Sequence, residues 1–212
     1  MDYKDFKDRD VSYEINLKAK TITTVRTARV LASERLYSYA KKWEFIFLFM
    51  NLISASLLVY SIVIEADSKN SLLISSIFSI YTLFIQSFVS KLNYNERALK
   101  FHYHQLDLEN FLLANKYLLL DSTGRSDEEK LDEHEKIMKL YQLSLQGIEN
   151  HSNLDHKKAT KRSKKMEKEG GSGFLSNIEQ RLIYADFSLD NLFVNIQPFF
   201  IAVFVYLYIN FR

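Results

Sequence analysis

Cysteine is absent from the 212 residues, so neither a disulfide framework, a thiolate nucleophile nor a Cys-ligated metal is available to this chain. Proline occurs once and glycine five times, three of the glycines in the stretch Gly170-Gly171-Ser172-Gly173, so most of the chain lacks helix breakers. Net charge is also scarce. Lys and Arg number 28 against 26 Asp and Glu, a balance of +2 that does not describe a nucleic-acid binder, and direct contact with nucleic acid is not expected. The motifs GxSxG and HExxH, a phosphate-binding loop and a dinucleotide fingerprint are all missing. The glycine stretch is no phosphate cradle, because no Lys-Ser/Thr follows it and no strand precedes it. His102 and His104 stand two apart, about 200° around a helix, and cannot chelate one ion. His151 with Asp155 at i, i+4, and His156 adjacent, could pair or hold a metal, but a hydrogen bond on a helix surface accounts for them. Neither enzyme chemistry, a cofactor nor a metal is expected.

What the chain has instead is long runs without charge. After Trp43-Glu44 come the twenty residues 45–64, and after the turn Glu65 to Asn70 come residues 71–89. At about 1.5 Å per residue, twenty helical residues cross a hydrocarbon core of roughly 30 Å. A soluble core helix shows an apolar stripe rather than an apolar circumference, so these runs read as a transmembrane hairpin, 43–64 and 71–90. Leu192 to Phe211 is a third uncharged run, weakened at its start by Asn195, Gln197 and Pro198. If it spans, the two ends of that run lie on opposite sides of the membrane; if it only dips in, both lie on one side. Aromatic residues make up 14% of the chain and gather in these runs, where rings fill a membrane helix and sit at its interface.

The second span has a polar face. Ser71, Ser75, Ser79, Thr82, Gln86 and Ser90 recur at steps of three and four, and Asn51, Ser54 and Ser61 share a sparser face of the first span. Two readings fit. Small hydroxyl residues let membrane helices approach and hydrogen-bond, which is packing. Alternatively, several copies turn the stripe toward a shared aqueous lumen, with Ser75, Ser79, Thr82, Gln86, Ser90 and Asn51 as its lining. Gln86 suits the second reading, being large for close packing and costly to bury without partners. A lumen needs a ring of helices, so this reading implies a homo-oligomer.

The remaining segments are helical and polar. Residues 1–19 form a charged lead in which no apolar core follows a basic start, so a cleavable signal peptide is not expected. A helix over 20–42 places Val25, Ala28 or Arg29, Ala32, Leu36, Tyr39 and Ala40 at helical spacing and continues into the first span. Residues 91–156 predict a helical hairpin. In its first helix Leu99, Tyr103, Leu106, Asn110, Leu113 and Tyr117 repeat at three- and four-residue steps; its second runs from a cap at Ser126 or Asp127 to about Asn150. These helices and the 20–42 helix should pack as a small bundle. Lys41, Lys42, Lys91, Arg97 and Lys100 flank the open ends of the hairpin, whereas the turn offers Lys69 against Glu65 and Asp67. The positive-inside rule puts the N-terminus and 91–190 in the cytoplasm.

Residues 157–173 form a basic and Gly-rich linker. Lys157, Lys158, Lys161, Arg162, Lys164 and Lys165 are candidates for anionic lipid headgroups, against the plainer reading of a solvated helix end. An amphipathic helix is expected over 174–190, and 192–211 is the third membrane segment. The fold class is therefore an all-α integral membrane protein, a transmembrane hairpin whose helices extend into a cytoplasmic bundle, with a C-terminal third membrane helix.

Arg29 and Arg35 on a helix running to Trp43, a two-span hairpin, Asn95-Glu96-Arg97 just after it, and Tyr141 followed by Glu149-Asn150-His151 and Asp155 together resemble the SLATT family. These are two-transmembrane effectors found beside bacterial nucleotide-second-messenger and reverse-transcriptase defence genes. The resemblance covers about residues 20–160, and the third hydrophobic segment fits a reverse-transcriptase-associated subgroup. It implies an effector of the bacterial inner membrane that forms pores and depolarises or permeabilises an infected cell when a partner senses phage. That partner would be a sensor or nucleotide-signalling protein encoded nearby. On the same resemblance Glu96, Arg97, Tyr141, Glu149, Asn150, His151 and Asp155 are structural contacts of the cytoplasmic bundle rather than catalytic groups. The alternative is a membrane-anchored scaffold whose bundle recruits another protein.

Overall fold

A computed structural model of the chain describes residues 9–64, 69–121, 124–150, 152–167, 186 and 188–211. Among them are six helices and no strand: α1 (Val11–Val63), α2 (Lys69–Lys91), α3 (Tyr94–Leu120), α4 (Asp127–Ser144), α5 (Asn153–Glu167) and α6 (Leu189–Phe211). Chain contacts divide them into two compact units, one of Met1–Arg35 with Arg97–Tyr184, the other of Leu36–Glu96 with Ala185–Arg212.

The first unit is a bundle. α1 runs antiparallel to α3, with Arg26 Nε 2.5 Å from Glu109 Oε2, the Arg29 guanidinium 4.9 Å from the Phe101 ring centroid, and Ser33 Oγ donating to the Ala98 carbonyl at 2.9 Å. α4 returns antiparallel to α3, and Ile15, Leu118 and Ile137 meet in a core that Val11, Phe111 and Met138 close. The helix starts at Val11, inside the expected 1–19 lead. Asp10 explains the early start: its carboxylate accepts the Tyr13 N–H at 3.0 Å as an N-cap, and Tyr13 and Ile15 behind it are buried. At the other end of the bundle α4 stops at Ser144, short of Asn150. Gly147 follows at φ +77°, a left-handed conformation that ends a helix and that glycine adopts without strain. Ser126 opens α4 with a reciprocal capping box to Glu129.

α3 departs from the expected packing. The stripe of Leu99, Tyr103, Leu106, Asn110, Leu113 and Tyr117 is exposed along its length. The buried face carries Ala98, Phe101, His104, Leu108, Asn115 and Leu118 instead. Two of these are polar, and Asn115 is accommodated because its amide donates to the Phe111 carbonyl and its oxygen accepts from His134 Nδ1, both at 2.8 Å. On α1, by contrast, the periodic positions Ala28, Arg29, Ala32, Leu36, Tyr39 and Ala40 are buried as expected; on α4 His134 and Ile137 are buried and Leu131 is exposed.

The second unit holds the apolar segments. The C-terminal half of α1 and α2 form the antiparallel hairpin, and α6 lies along both, parallel to α1: Phe193 packs at a tilt against Trp43 at one end, and Tyr208 reaches Ser61 and Ser71 at the other. Three helices, within Val11–Val63, Lys69–Leu120 and Leu189–Asn210, are long and apolar enough to cross a membrane. Pro198 lies inside α6 without ending it. α2 gives way to α3 at Asn93, whose φ of 47° is a left-handed value that asparagine tolerates better than most residues. The hairpin turn 65–68, the glycine stretch and the expected 174–190 helix up to residue 185 lie outside the described residues.

His104 and His134 are both buried in the first unit, and burial is the main cause that pushes each below the ordinary histidine value. At His104 the Arg29 cation adds to that and Asp107 opposes it; at His134 Lys18 adds and Glu14 opposes. With folded pKa values depressed, the unfolded chain binds protons that the folded chain refuses. Stability is then complete above about pH 6.5 and falls as pH drops below it. Thermal melts of the detergent-solubilised protein, followed by helicity, should show a lower Tm at about pH 5.5 than at about pH 7.5. The His104→Phe, His134→Gln variant should lose less over that interval; an equal loss would show that these histidines do not carry it.

Candidate functional site

Two polar constellations stand out, one in each unit. In the membrane unit, α1 and α2 face each other through serines, whose small side chains let helices approach and whose hydroxyls bond across. Ser54 Oγ lies 2.7 Å from Ser79 Oγ. About two turns away, Ser61 Oγ sits 3.1 Å from Ser71 Oγ, 3.2 Å from Ser75 Oγ and 3.0 Å from Tyr208 Oη, and Ser71 donates to Tyr208 at 2.8 Å. Ser61 is the hub that joins all three apolar helices. Thr82 is buried and donates to the Phe78 carbonyl of its own helix at 2.9 Å. Beside it Tyr81 donates to Gln197 Oε1 at 2.8 Å, so an amide of α6 accepts from α2.

The remaining stripe residues point outward. Asn51, Gln86 and Ser90 are exposed, and none of their side chains has a hydrogen-bond partner among the described residues. A cavity of about 460 Å³ opens at this end of the hairpin, lined by Trp43, Glu44 and Phe47 of α1 and by Gln86, Val89 and Ser90 of α2, with Asn93 to Glu96 closing it. Asn51 follows Glu44 and Phe47 by two turns and one turn on α1, so it extends the same face deeper into the span. Glu44, Asn51, Gln86 and Ser90 thus form one outward polar side on otherwise apolar helices.

The open end is tied to α6. Tyr39 Oη bonds to the Asp186 carboxylate and lies 2.8 Å from Ser188 Oγ, and Tyr94 Oη donates to Asp190 at 2.8 Å. Ser188 caps α6 by accepting the Asn191 N–H at 3.2 Å. Trp43 is buried between Phe47 and Phe193, at centroid distances of 5.2 and 5.3 Å.

The second constellation gathers residues of the motifs that carried the resemblance. Arg97 grips Glu149 through two parallel bonds of 2.8 and 2.6 Å, and the buried Arg29 donates to the Glu149 backbone carbonyl. Arg35 grips Asp155 at 3.2 and 2.8 Å, and Asp155 also accepts from Ser152 at 2.7 Å, whose oxygen caps the first turn of α5. Three arginines from α1 and α3 therefore clamp the α4–α5 connection. Burial holds the Arg29 guanidinium below its ordinary value, against the pull of Glu149 and then Tyr141. Burial likewise raises the Tyr141 hydroxyl, and Arg29 opposes it. Glu96 and Asn150 are exposed, and His151 lies outside the described residues. The arrangement is one of salt bridges and caps.

The basic run falls on α5 as far as Glu167 rather than in a linker, beginning behind the Ser152 cap. Lys157, Lys161 and Arg162 are exposed, whereas Lys158 is buried beside Ala159; the side chains of Lys164 and Lys165 lie outside the described residues.

Comparison with known proteins adds one match. The model of the SMODS and SLOG-associating 2TM effector domain family 5 fits residues 11–209, nearly the whole chain and past the 20–160 that the motifs delimit. No curated protein and no solved structure matches the chain.

The Arg35–Asp155 pair should be the stiffest single link of the clamp, because the Asp155 carboxylate is 1% exposed. Removing one partner of a buried ion pair leaves the other charge uncompensated, at about 3 kcal/mol. Arg35→Met should lower the stability of the protein by roughly that amount, and adding Asp155→Leu to it should restore part of the loss. A double variant that melts below Arg35→Met would contradict this account.

Proposed function

The chain belongs to the SMODS and SLOG-associating 2TM effector domain family 5, and from that premise we propose that it is a membrane effector of a bacterial anti-phage defence system that assembles into a pore. One observation carries the reading: Asn51 and Gln86 sit exposed and unpartnered on helices that are otherwise apolar enough to span a bilayer. An amide facing hydrocarbon without a hydrogen bond costs several kcal/mol, on the order of 4 to 8 by transfer to alkane. Several copies around an aqueous lumen remove that cost by turning Glu44, Asn51, Gln86 and Ser90 toward water. Ser75, Ser79 and Thr82 then have a different part. Bonded inside the three-helix unit, they hold the wall closed and exchange partners when the helices rotate.

On this reading the pore dissipates the potential of the inner membrane, with the N-terminal and middle helices in the cytoplasm, where the basic flanks of the spans place them. Its trigger is a sensor or nucleotide-signalling protein encoded nearby. Lys157 and Arg162, exposed on α5, suit contact with anionic lipid headgroups. No catalytic step is asked of the chain.

A second reading draws on the bonding of Ser61, Ser71, Ser75 and Tyr208 to each other. Hydroxyls satisfied in this way are what packing requires, and they suit a membrane anchor whose helical bundle recruits another protein.

Membrane potential in a bacterial host separates the two. Expressed with its genomic neighbours under triggering conditions, the native chain should depolarise cells, and the Asn51→Leu, Gln86→Leu variant should not, at equal abundance in the membrane. Equal depolarisation by both chains, or by neither, would remove the lumen from the exposed amides and leave the anchor.

A further inference from the structure

α3 carries two seams, and its own bundle covers only one. Ala98, Phe101, Leu108 and Leu118 are buried. On the uncovered side Leu99, Leu106, Leu113 and Leu120 recur at every seventh residue, each between 41% and 67% exposed. Midway between them stand Tyr103, Asn110 and Tyr117, again seven apart and all exposed. In heptad notation the leucines occupy position d and the Tyr-Asn-Tyr series position a, and the three-four rhythm runs unbroken from Leu99 to Leu120. An isolated bundle has no use for such a face in water.

We propose that this face is the docking surface for a second copy of the chain, α3 against α3 in a parallel coiled coil. Asn110 identifies the occupant. An asparagine at a sits badly against an apolar partner, whereas the same asparagine from an identical helix in register offers both a donor and an acceptor to it. Only the parallel arrangement sets a against a, because antiparallel helices set a against d. Charges at the flanks agree: in parallel register His102 lies across from Asp107 and Glu109 from Ala114, so neither of these crossings joins like charges. Copies inserted in one membrane share an orientation and are related by an axis along its normal, which brings equal residue numbers together. The inference deepens the pore reading by naming where copies meet, yet it is drawn from α3 alone.

Because the chain has no cysteine, single thiols report without background. Full-length Leu106→Cys and Leu113→Cys, in native membranes treated with copper phenanthroline, should give disulfide-linked dimers. Glu135→Cys, at an exposed position of α4, should stay monomeric. In parallel, native mass spectrometry from mild detergent should show the unaltered chain as an oligomer and the Leu106→Glu, Leu113→Glu variant as a smaller species of unchanged helicity. Dimers formed as readily at Glu135→Cys as at the leucine positions overturn the proposal, as does a double-Glu variant of undiminished mass. If the leucine positions stay monomeric while the native chain depolarises cells, this surface is wrong and the pore stands. If they crosslink and no depolarisation occurs, the surface stands and the pore does not.

Discussion

A hydroxyl or an amide inside hydrocarbon has to find a partner, and the membrane unit is arranged by that requirement. Ser61 answers it by meeting Ser71, Ser75 and Tyr208 at once, which holds α1, α2 and α6 together at one end of the spans. Tyr81 answers it with Gln197 of α6, so the third apolar helix supplies partners as well as packing surface. Ser54 and Ser79 answer it with each other. Asn51 and Gln86 have no such answer among the described residues.

The other unit is ordered by charge. Arg29, Arg35 and Arg97 reach the α4–α5 connection through the Glu149 carbonyl, Asp155 and the Glu149 side chain. Arginine suits such a clamp because its planar fork makes two parallel bonds to a carboxylate and stays charged even where burial disfavours it. α3 serves this bundle with a face that includes His104 and Asn115, and Asn115 is matched there by His134 and the Phe111 carbonyl. Its leucine-rich face is left to the outside.

That inversion shows where reading from sequence stops. The three apolar runs, the hairpin, the continuation of the 20–42 helix into the first span and the family were legible, because each rests on local composition, spacing or motif order. The buried stripe of α1 was legible for the same reason. On α3 two stripes share the 3.6-residue period, and hydrophobicity alone selects Leu99, Leu106 and Leu113 over Ala98, His104 and Asn115. What made the second set the core is the fit of Asn115 to His134, of Phe101 to Arg29 and of Ala98 to Ser33, none of which has a local signature. The early start of α1 was missed because the cap at Asp10 lay among other aspartates of a charged segment.

By itself, then, the sequence determined that this is a helical membrane protein with a polar face on its second span, since a run of uncharged residues and a helical period need no neighbours to be read. Tertiary structure decided which members of that face are spent. Ser71, Ser75, Ser79 and Thr82 lie against partners or their own backbone, and Gln86 and Ser90 do not, although all six fall on one stripe. The reason is geometric. Whether a residue on a helix face is satisfied depends on where a second helix stops covering it, and that boundary is set by how the helices cross, not by the spacing of residues along one of them.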